Sequence, residues 1–305
     1  MIDTKKSSFL RRSTLIMPAN KQKFIEKALD RGADAIQLDL EDGVAPQEKQ
    51  EARQYLKESI GFLNTGNVEV LVRINDGLEM SQLDLEAAIL PGLNGIVIPK
   101  VEDALTVQRL EDIVQELEVK RNITSGSIHF TILIETAKGF MNIKEITRAS
   151  SRIVAMNLGT EDFTLDLGIE PSDAGDELLV PKMQAMIAAK AAGIQPLGIV
   201  GSMAGFNDLE NLYKVARKSY QLGHVGASCI HPAQVAVMNK AFSPTSEQID
   251  YAKRVADIFE KAKSQGDGAV ALNGKMIDIP VAKRAYSILE KAERIRIKEQ
   301  KLNLT

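Results

Sequence analysis

Eight short runs rich in Val, Ile and Leu recur along this chain, separated by longer stretches whose apolar residues return at helical spacing. The short runs are STLIMPA (13–19), AIQLDLE (35–41), VEVLVRIN (68–75), GIVIPK (95–100), HFTILIET (129–136), RIVAMNLG (152–159), QPLGIVG (195–201) and GASCIHP (226–232). A two-residue period suits a strand and a 3.6-residue period a helix. Between the runs lie helix candidates such as KQKFIEKALDRG, PQEKQEARQYLKESI, DALTVQRLEDIVQELEV, VPKMQAMIAAKAAG and FNDLENLYKVARKSYQLG, several ending on the Gly that a left-handed helix cap requires.

Eight βα units without a low-complexity linker predict an α/β protein, a (β/α)8 TIM barrel over residues 1–265. A dinucleotide-binding sheet would need a G-x-G-x-x-G turn after the first strand, where the chain reads MPANKQK. Residues 266–305 add a C-terminal loop and helix of the sort that packs on a neighbouring subunit.

In such a barrel the functional groups sit at the carboxyl ends of the strands. Parity sorts the side chains there. Ile36, Leu38 and Leu40 share one face of the second strand, leaving Gln37, Asp39 and Glu41 on the other, while Arg73 shares a face with Leu71 and Asn75. Glu135 lies with Thr131 and Leu133, and the sixth strand runs out into GTEDFTLDLG with Glu161, Asp162 and Asp166. Acids gathered at one rim are costly without a cation, and an oxygen-rich set of this kind suits Mg²⁺. Arg73 is the natural fork for a substrate carboxylate. Asp39, deeper than Glu41, either pairs with Arg73 or a backbone amide, or takes part in the chemistry.

Composition narrows the partners. Of 305 residues 44% are hydrophobic and 26% charged, with a net charge of -3, which gives no basic footprint for nucleic acid. The run KAERIRIKEQK alternates its charges at helical spacing, as a solvated helix face does. One cysteine, Cys229, excludes an internal disulfide framework and a Cys-rich zinc site. No run is long enough for a membrane span, so a cytoplasmic protein is expected. His129 reads as structural, His224 lies in a turn, and His231 ends the eighth strand; none pairs by position with a Ser or Cys nucleophile.

Taken together, RRSTLIMPAN, LDLEDGVAPQEK, VRIN, IPKVE, ILIETAKG, LGTEDFTLDLG, CIHPAQV and GKMIDIP, in that order, resemble the citrate lyase beta subunit family within the HpcH/HpaI aldolase superfamily. The resemblance spans most of the chain. It implies a Mg²⁺-dependent carbon–carbon lyase acting on a 3-hydroxy acyl thioester, in the first instance citramalyl-CoA or malyl-CoA, giving acetyl-CoA with pyruvate or glyoxylate. Alternatives are a citryl thioester lyase subunit with an acyl-carrier partner, a malyl-CoA thioesterase, a pyruvate aldolase without CoA, and a non-catalytic barrel.

By position the resemblance makes Glu135 and Asp162 the metal carboxylates and sets Arg73 on the oxo-acid carboxylate and the enolate oxygen. Glu41 and Asp42 anchor metal-bound water or Arg73. Asp278 becomes an acid reaching a neighbouring subunit's site, with Arg12 and Lys21 as contacts for the CoA thioester, and trimers or their multiples are implied. The chain departs from the family pattern in GHVGASCIHP, at His224 and Ala227, and in GIVGSMAGFNDLE, where Ser202 does not replace the acid many relatives carry.

Overall fold

The computed structural model describes residues 9–172, 175–201 and 208–302. Ser202 lies outside the described residues. All eight predicted strands form, each slightly shorter than its apolar run: β1 (Ser13–Pro18), β2 (Ala35–Asp39), β3 (Glu69–Arg73), β4 (Gly95–Ile98), β5 (His129–Ile134), β6 (Ile153–Leu158), β7 (Gln195–Leu197) and β8 (Ala227–Cys229). They pair in parallel in the order β7-β6-β5-β4-β3-β2-β1-β8. Single contacts draw β7 to β8, the Gly198 N–H donating to Gly226 O at 2.8 Å and the Val225 N–H to Pro196 O at 3.0 Å. Helices cover the connections, so the TIM barrel expected from the strand count is the architecture found. The stretch KQKFIEKALDRG is the exception, forming only a short helix, Gln22–Ile25, and a 3-10 turn, Leu29–Arg31.

Strand parity partitions the core as the sequence predicts. Ile36, Leu38, Leu40, Val70, Val72 and Ile74 point outward into the large helix-covered cluster. Ala35, Leu71, Val97 and Leu133 form a separate small cluster inside the barrel. The amino end of the barrel is closed by charge. The Arg11 guanidinium donates through Nε and Nη2 to both Glu69 oxygens at 2.6 Å and through Nη1 to Thr131 Oγ1 at 2.9 Å, and His129 Nε2 lies 2.7 Å from Glu69 Oε1. His129 is therefore structural.

Burial alone would raise the Glu69 carboxyl, but Arg11 and His129 outweigh it and hold the pKa at about 2, below the ordinary 4.5. A depressed folded-state value stabilises the fold above the unfolded-state value, and that stability is lost as pH falls from about 4.5 toward 2. Acid unfolding followed by circular dichroism is expected to steepen in this window. In Glu69→Gln the steepening should shrink while neutral-pH stability drops by about 3 kcal/mol or more; an acid limb identical to wild type would exclude the linkage.

The described residues from Ser243 onward form a second compact unit. Its first helix, Ser246–Ser264, opens on a capping box between Thr245 and Gln248. Val255 and Phe259 of this helix cluster with Ile277, Ala282 and Ala285, which follow the hairpin Val270–Leu272 and Lys275–Ile277 or belong to its end and to the helix Ile279–Leu302. The Ser246–Ser264 helix buries its apolar face within this C-terminal unit. Among the described residues no helix is long and apolar enough to cross a membrane.

Candidate active site

The site forms where the β2 run leaves the barrel. Asp39, 1% exposed, ends β2 and pairs in register with Arg73 at the end of β3. Arg73 donates from Nε and Nη2 to the two Asp39 oxygens at 2.6 and 2.7 Å. The same carboxylate accepts from the Glu41 and Gly43 N–H groups at 3.0 and 2.9 Å. Gly43 makes that approach possible, since a Cβ there would lie 2.6 Å from Asp39 Oδ2. Asp39 is thus the structural partner of Arg73, one of the two roles open to it in the sequence.

This pairing changes the expectation for Arg73. Arg73 as a whole is the expected fork for a substrate carboxylate, but its Nε–Nη2 edge is taken by Asp39, and the Nη1 end is what remains toward the rim. Nη1 lies 2.8 Å from Glu41 Oε2 and 3.4 Å from Asp42 Oδ2. The Glu41 contact is off the hydrogen-bond angle, so this buried Oε2 has charge beside it but no hydrogen bond. Burial raises the Glu41 carboxyl above 4.5 against the pull of Arg73 and Lys100.

Glu135, just beyond β5, is 5% exposed. One of its oxygens, Oε2, accepts the Lys100 N–H at 2.8 Å. Burial, with Glu41 and Asp162 adding like charge, pushes its pKa up to about 7. Gly159, after β6, leaves the carboxylate its space, because a Cβ there would sit 2.6 Å from Oε1. The next residues turn into the helix Thr160–Asp166, which carries Asp162 in its first turn.

Lys100 joins these parts and was given no role in the sequence reading. It stands after β4 with φ 48°, a left-handed backbone that costs a side-chain-bearing residue about 1–2 kcal/mol. In that conformation its N–H meets Glu135, while Nζ lies 2.8 Å from Glu41 Oε1, 3.8 Å from Asp162 Oδ1 and 3.9 Å from Asp42 Oδ1. The one signal available was its place at a strand's carboxyl end, in IPKVE. Lys49 is a second unforeseen residue, its Nζ donating to Leu40 O at 2.9 Å, to Glu41 O at 3.0 Å and to Asn75 Oδ1.

Two other expectations separate. Arg12 precedes β1, at the barrel's amino end, where it is 2% exposed and paired with Asp34 at 2.9 Å. It cannot reach a thioester at the opposite rim. Lys21 follows β1 at the correct rim, half exposed, 3.8 Å from Glu48. Beside it, on the outer side of β1, opens a groove of about 440 Å³ lined by Lys23, Phe24, Lys27, Arg31, Ile230 and Pro232. Asp278 caps the Ile279–Leu302 helix, accepting the Val281 N–H at 3.2 Å.

Among the described residues no three His, Cys, Asp or Glu side chains converge as ligands. The arrangement is instead a buried carboxylate and a half-exposed one, Glu135 and Asp162, flanked by Glu41, Asp42 and two cations. Such a set can hold a divalent ion that keeps most of its water or substrate ligands, and can stabilise a developing anion at Arg73 Nη1.

Comparison with known proteins gives the same direction. The HpcH/HpaI aldolase/citrate lyase family profile matches residues 12–232. Citrate lyase subunit beta of Leuconostoc mesenteroides subsp. cremoris is 35% identical over 93% of each chain. An L-malyl-CoA/beta-methylmalyl-CoA lyase of Cereibacter sphaeroides is 33% identical over 93% of this chain and 95% of its own. The solved structure of CitE from Mycobacterium tuberculosis, in complex with magnesium, acetoacetate and coenzyme A, matches 92% of this chain and 97% of its own, at 30% identity and a TM-score of 0.71.

Proposed function

A chain that belongs to the HpcH/HpaI aldolase/citrate lyase family is a lyase, and from that premise we propose that it splits a 3-hydroxy acyl-CoA of the malyl or citramalyl type into acetyl-CoA and a 2-oxo acid, glyoxylate or pyruvate. The observation that carries the reading is the joint placement of Glu135, Asp162, Glu41 and Arg73 Nη1 at one rim. Citryl thioesters are a second reading, favoured by the citrate lyase beta subunits among the relatives.

Mg²⁺ suits the donor set. It needs only one or two protein carboxylates, and the Glu135 carboxyl, driven up to about 7 by burial beside Glu41 and Asp162, marks a place short of positive charge. Glu135 and Asp162 would hold the ion, which when bound supplies Lewis-acid polarisation of the substrate's oxygens. The relative crystallised with magnesium and coenzyme A supports the pairing of ion and carrier.

The residues then divide the work. The bond between C2 and C3 breaks as the 3-hydroxyl proton leaves, its oxygen becoming the oxo-acid carbonyl and the bonding pair passing to the thioester enolate. Glu41, its carboxyl raised by burial, is suited to receive that proton. Arg73 Nη1, fixed by Asp39, stabilises the enolate oxygen. Asp278, carried on the C-terminal unit of a neighbouring copy in a trimer or a multiple of one, protonates the enolate carbon. The groove with Lys23, Lys27 and Arg31 fits the phosphates of CoA, with Phe24 and Ile230 as apolar surface.

A panel of malyl-, citramalyl- and citryl-CoA with Mg²⁺, both products read by mass spectrometry, tests this. Release of acetyl-CoA together with an oxo acid is expected; hydrolysis without bond cleavage would make the protein a thioesterase, and no turnover would end the lyase reading. Asp278→Asn should be inactive alone and regain turnover when mixed with inactive Arg73→Ala in shared oligomers. Absence of that rescue would put Asp278 in its own chain's site or in none.

A further inference from the structure

The acids of the rim gather on an ammonium. Among the described residues no three His, Cys, Asp or Glu side chains converge on one point as ligands. Three carboxylates nevertheless surround Lys100 Nζ, with Glu41 Oε1 at 2.8 Å, Asp162 Oδ1 at 3.8 Å and Asp42 Oδ1 at 3.9 Å. The Glu41 contact is a hydrogen bond and the longer two are ion pairs, so the ammonium is shared among acids rather than committed to one. Among the described residues Lys100 is the one cation paired with Asp162. Arg73, the other cation of the rim, gives its Nε–Nη2 edge to Asp39.

The main chain fixes the ammonium's starting point. The Lys100 N–H donates to Glu135 Oε2 at 2.8 Å, and the next amide, that of Val101, donates to Leu133 O at 3.0 Å, so the chain is tied to the β5 segment twice in succession. Between those ties Lys100 adopts φ 48°, which glycine takes up without strain and a residue with a Cβ does not. Such strain persists only where the surroundings enforce it, and it concentrates at functional sites. A glycine here would keep the amide on Glu135. What lysine adds is the charge.

We propose that Lys100 is a resident counter-cation that competes with Mg²⁺ for Asp162, so that the ion is held more weakly than Glu135 and Asp162 alone would hold it and its occupancy follows its concentration. The inference rests on the reading of these two acids as the ion's carboxylates and deepens it by naming what sets the affinity. An ammonium and a divalent ion drawn to the same carboxylate repel each other. The side chains of Lys100 and Asp162 are 30% and 38% exposed, so solvent weakens that repulsion without abolishing it. The flexible lysine stem lets Nζ keep Glu41 while Asp162 turns to the ion.

Calorimetric titration of the full chain with Mg²⁺, without substrate, tests it. Lys100→Met, which removes the charge and keeps the stem, is expected to bind the ion about tenfold or more tightly than wild type. Its melting temperature should also rise further than the wild type's when Mg²⁺ is added. Lys100→Arg keeps the charge and should stay within about threefold of wild type. Lys100→Gly suits φ 48° and retains the amide on Glu135, and it supplies the same measurement if Lys100→Met does not fold. A residue that only braced the acids would weaken ion binding when removed. Unchanged or weaker binding in a folded variant lacking the ammonium would therefore overturn the proposal, as would equal tightening in Lys100→Arg. If the affinity rises as expected while no thioester is cleaved, the lyase reading fails and the counter-cation stands; cleavage with an affinity that does not move gives the reverse. Wild type and variants that all fail to bind Mg²⁺ would end the proposal together with the ion site.

Discussion

Glu135→Gln is expected to lower Mg²⁺-dependent turnover by about a hundred- to a thousandfold while the barrel keeps its fold. The substitution keeps the side chain's size and leaves the Lys100 N–H an acceptor in the amide oxygen. What it removes is negative charge. The wild-type carboxyl is driven up to about 7 chiefly by burial, so the folded protein carries a group whose ionisation is unfavourable until a cation arrives. Replacing it with a neutral amide should relieve that penalty, and thermal stability without metal should be equal or slightly higher. Calorimetric titration with Mg²⁺ and a thermal scan check the two halves. Undiminished affinity would remove Glu135 from the ion's shell.

Arg73→Ala is expected to cost the barrel about 3–5 kcal/mol, the usual consequence of leaving one partner of a buried pair uncompensated. Asp39 and Glu41 are 1% and 5% exposed, and both face this guanidinium. Asp39 also gathers the Glu41 and Gly43 amides, so loss of Arg73 should loosen the loop after β2 as well as weaken the strand ends. Removing both charges, in Arg73→Met with Asp39→Leu, should recover much of the urea midpoint but none of the activity. A double variant as unstable as the single one would show that packing, not the unpaired carboxylate, sets the loss.

Much of this was legible before any fold was known. The two-residue alternation of AIQLDLE and VEVLVRIN places Asp39, Glu41 and Arg73 on the inward face, because a strand's side chains cannot choose their side once the apolar set is buried. The count of apolar-rich runs gave eight strands, and the order of motifs gave the family. Parity says which face a residue takes, though not which end of the barrel or which partner it meets. Arg12 shows the first limit: being one position ahead of β1 puts it at the amino end, against Asp34.

Lys100 and Lys182 show the second limit. The ion pair of Lys100 with Glu41 joins residues 59 apart, and that of Arg73 with Asp39 joins residues 34 apart, separations bridged only by strand register. Lys182 belongs by sequence to the helix Asp176–Ala191, outside the strands, yet its Nζ donates to Leu158 O at 3.0 Å, at the end of β6. Local alternation is written into each segment, since burial of one face is decided residue by residue. Which charge neutralises which is a property of chain ends brought together, and closure of the barrel decides it.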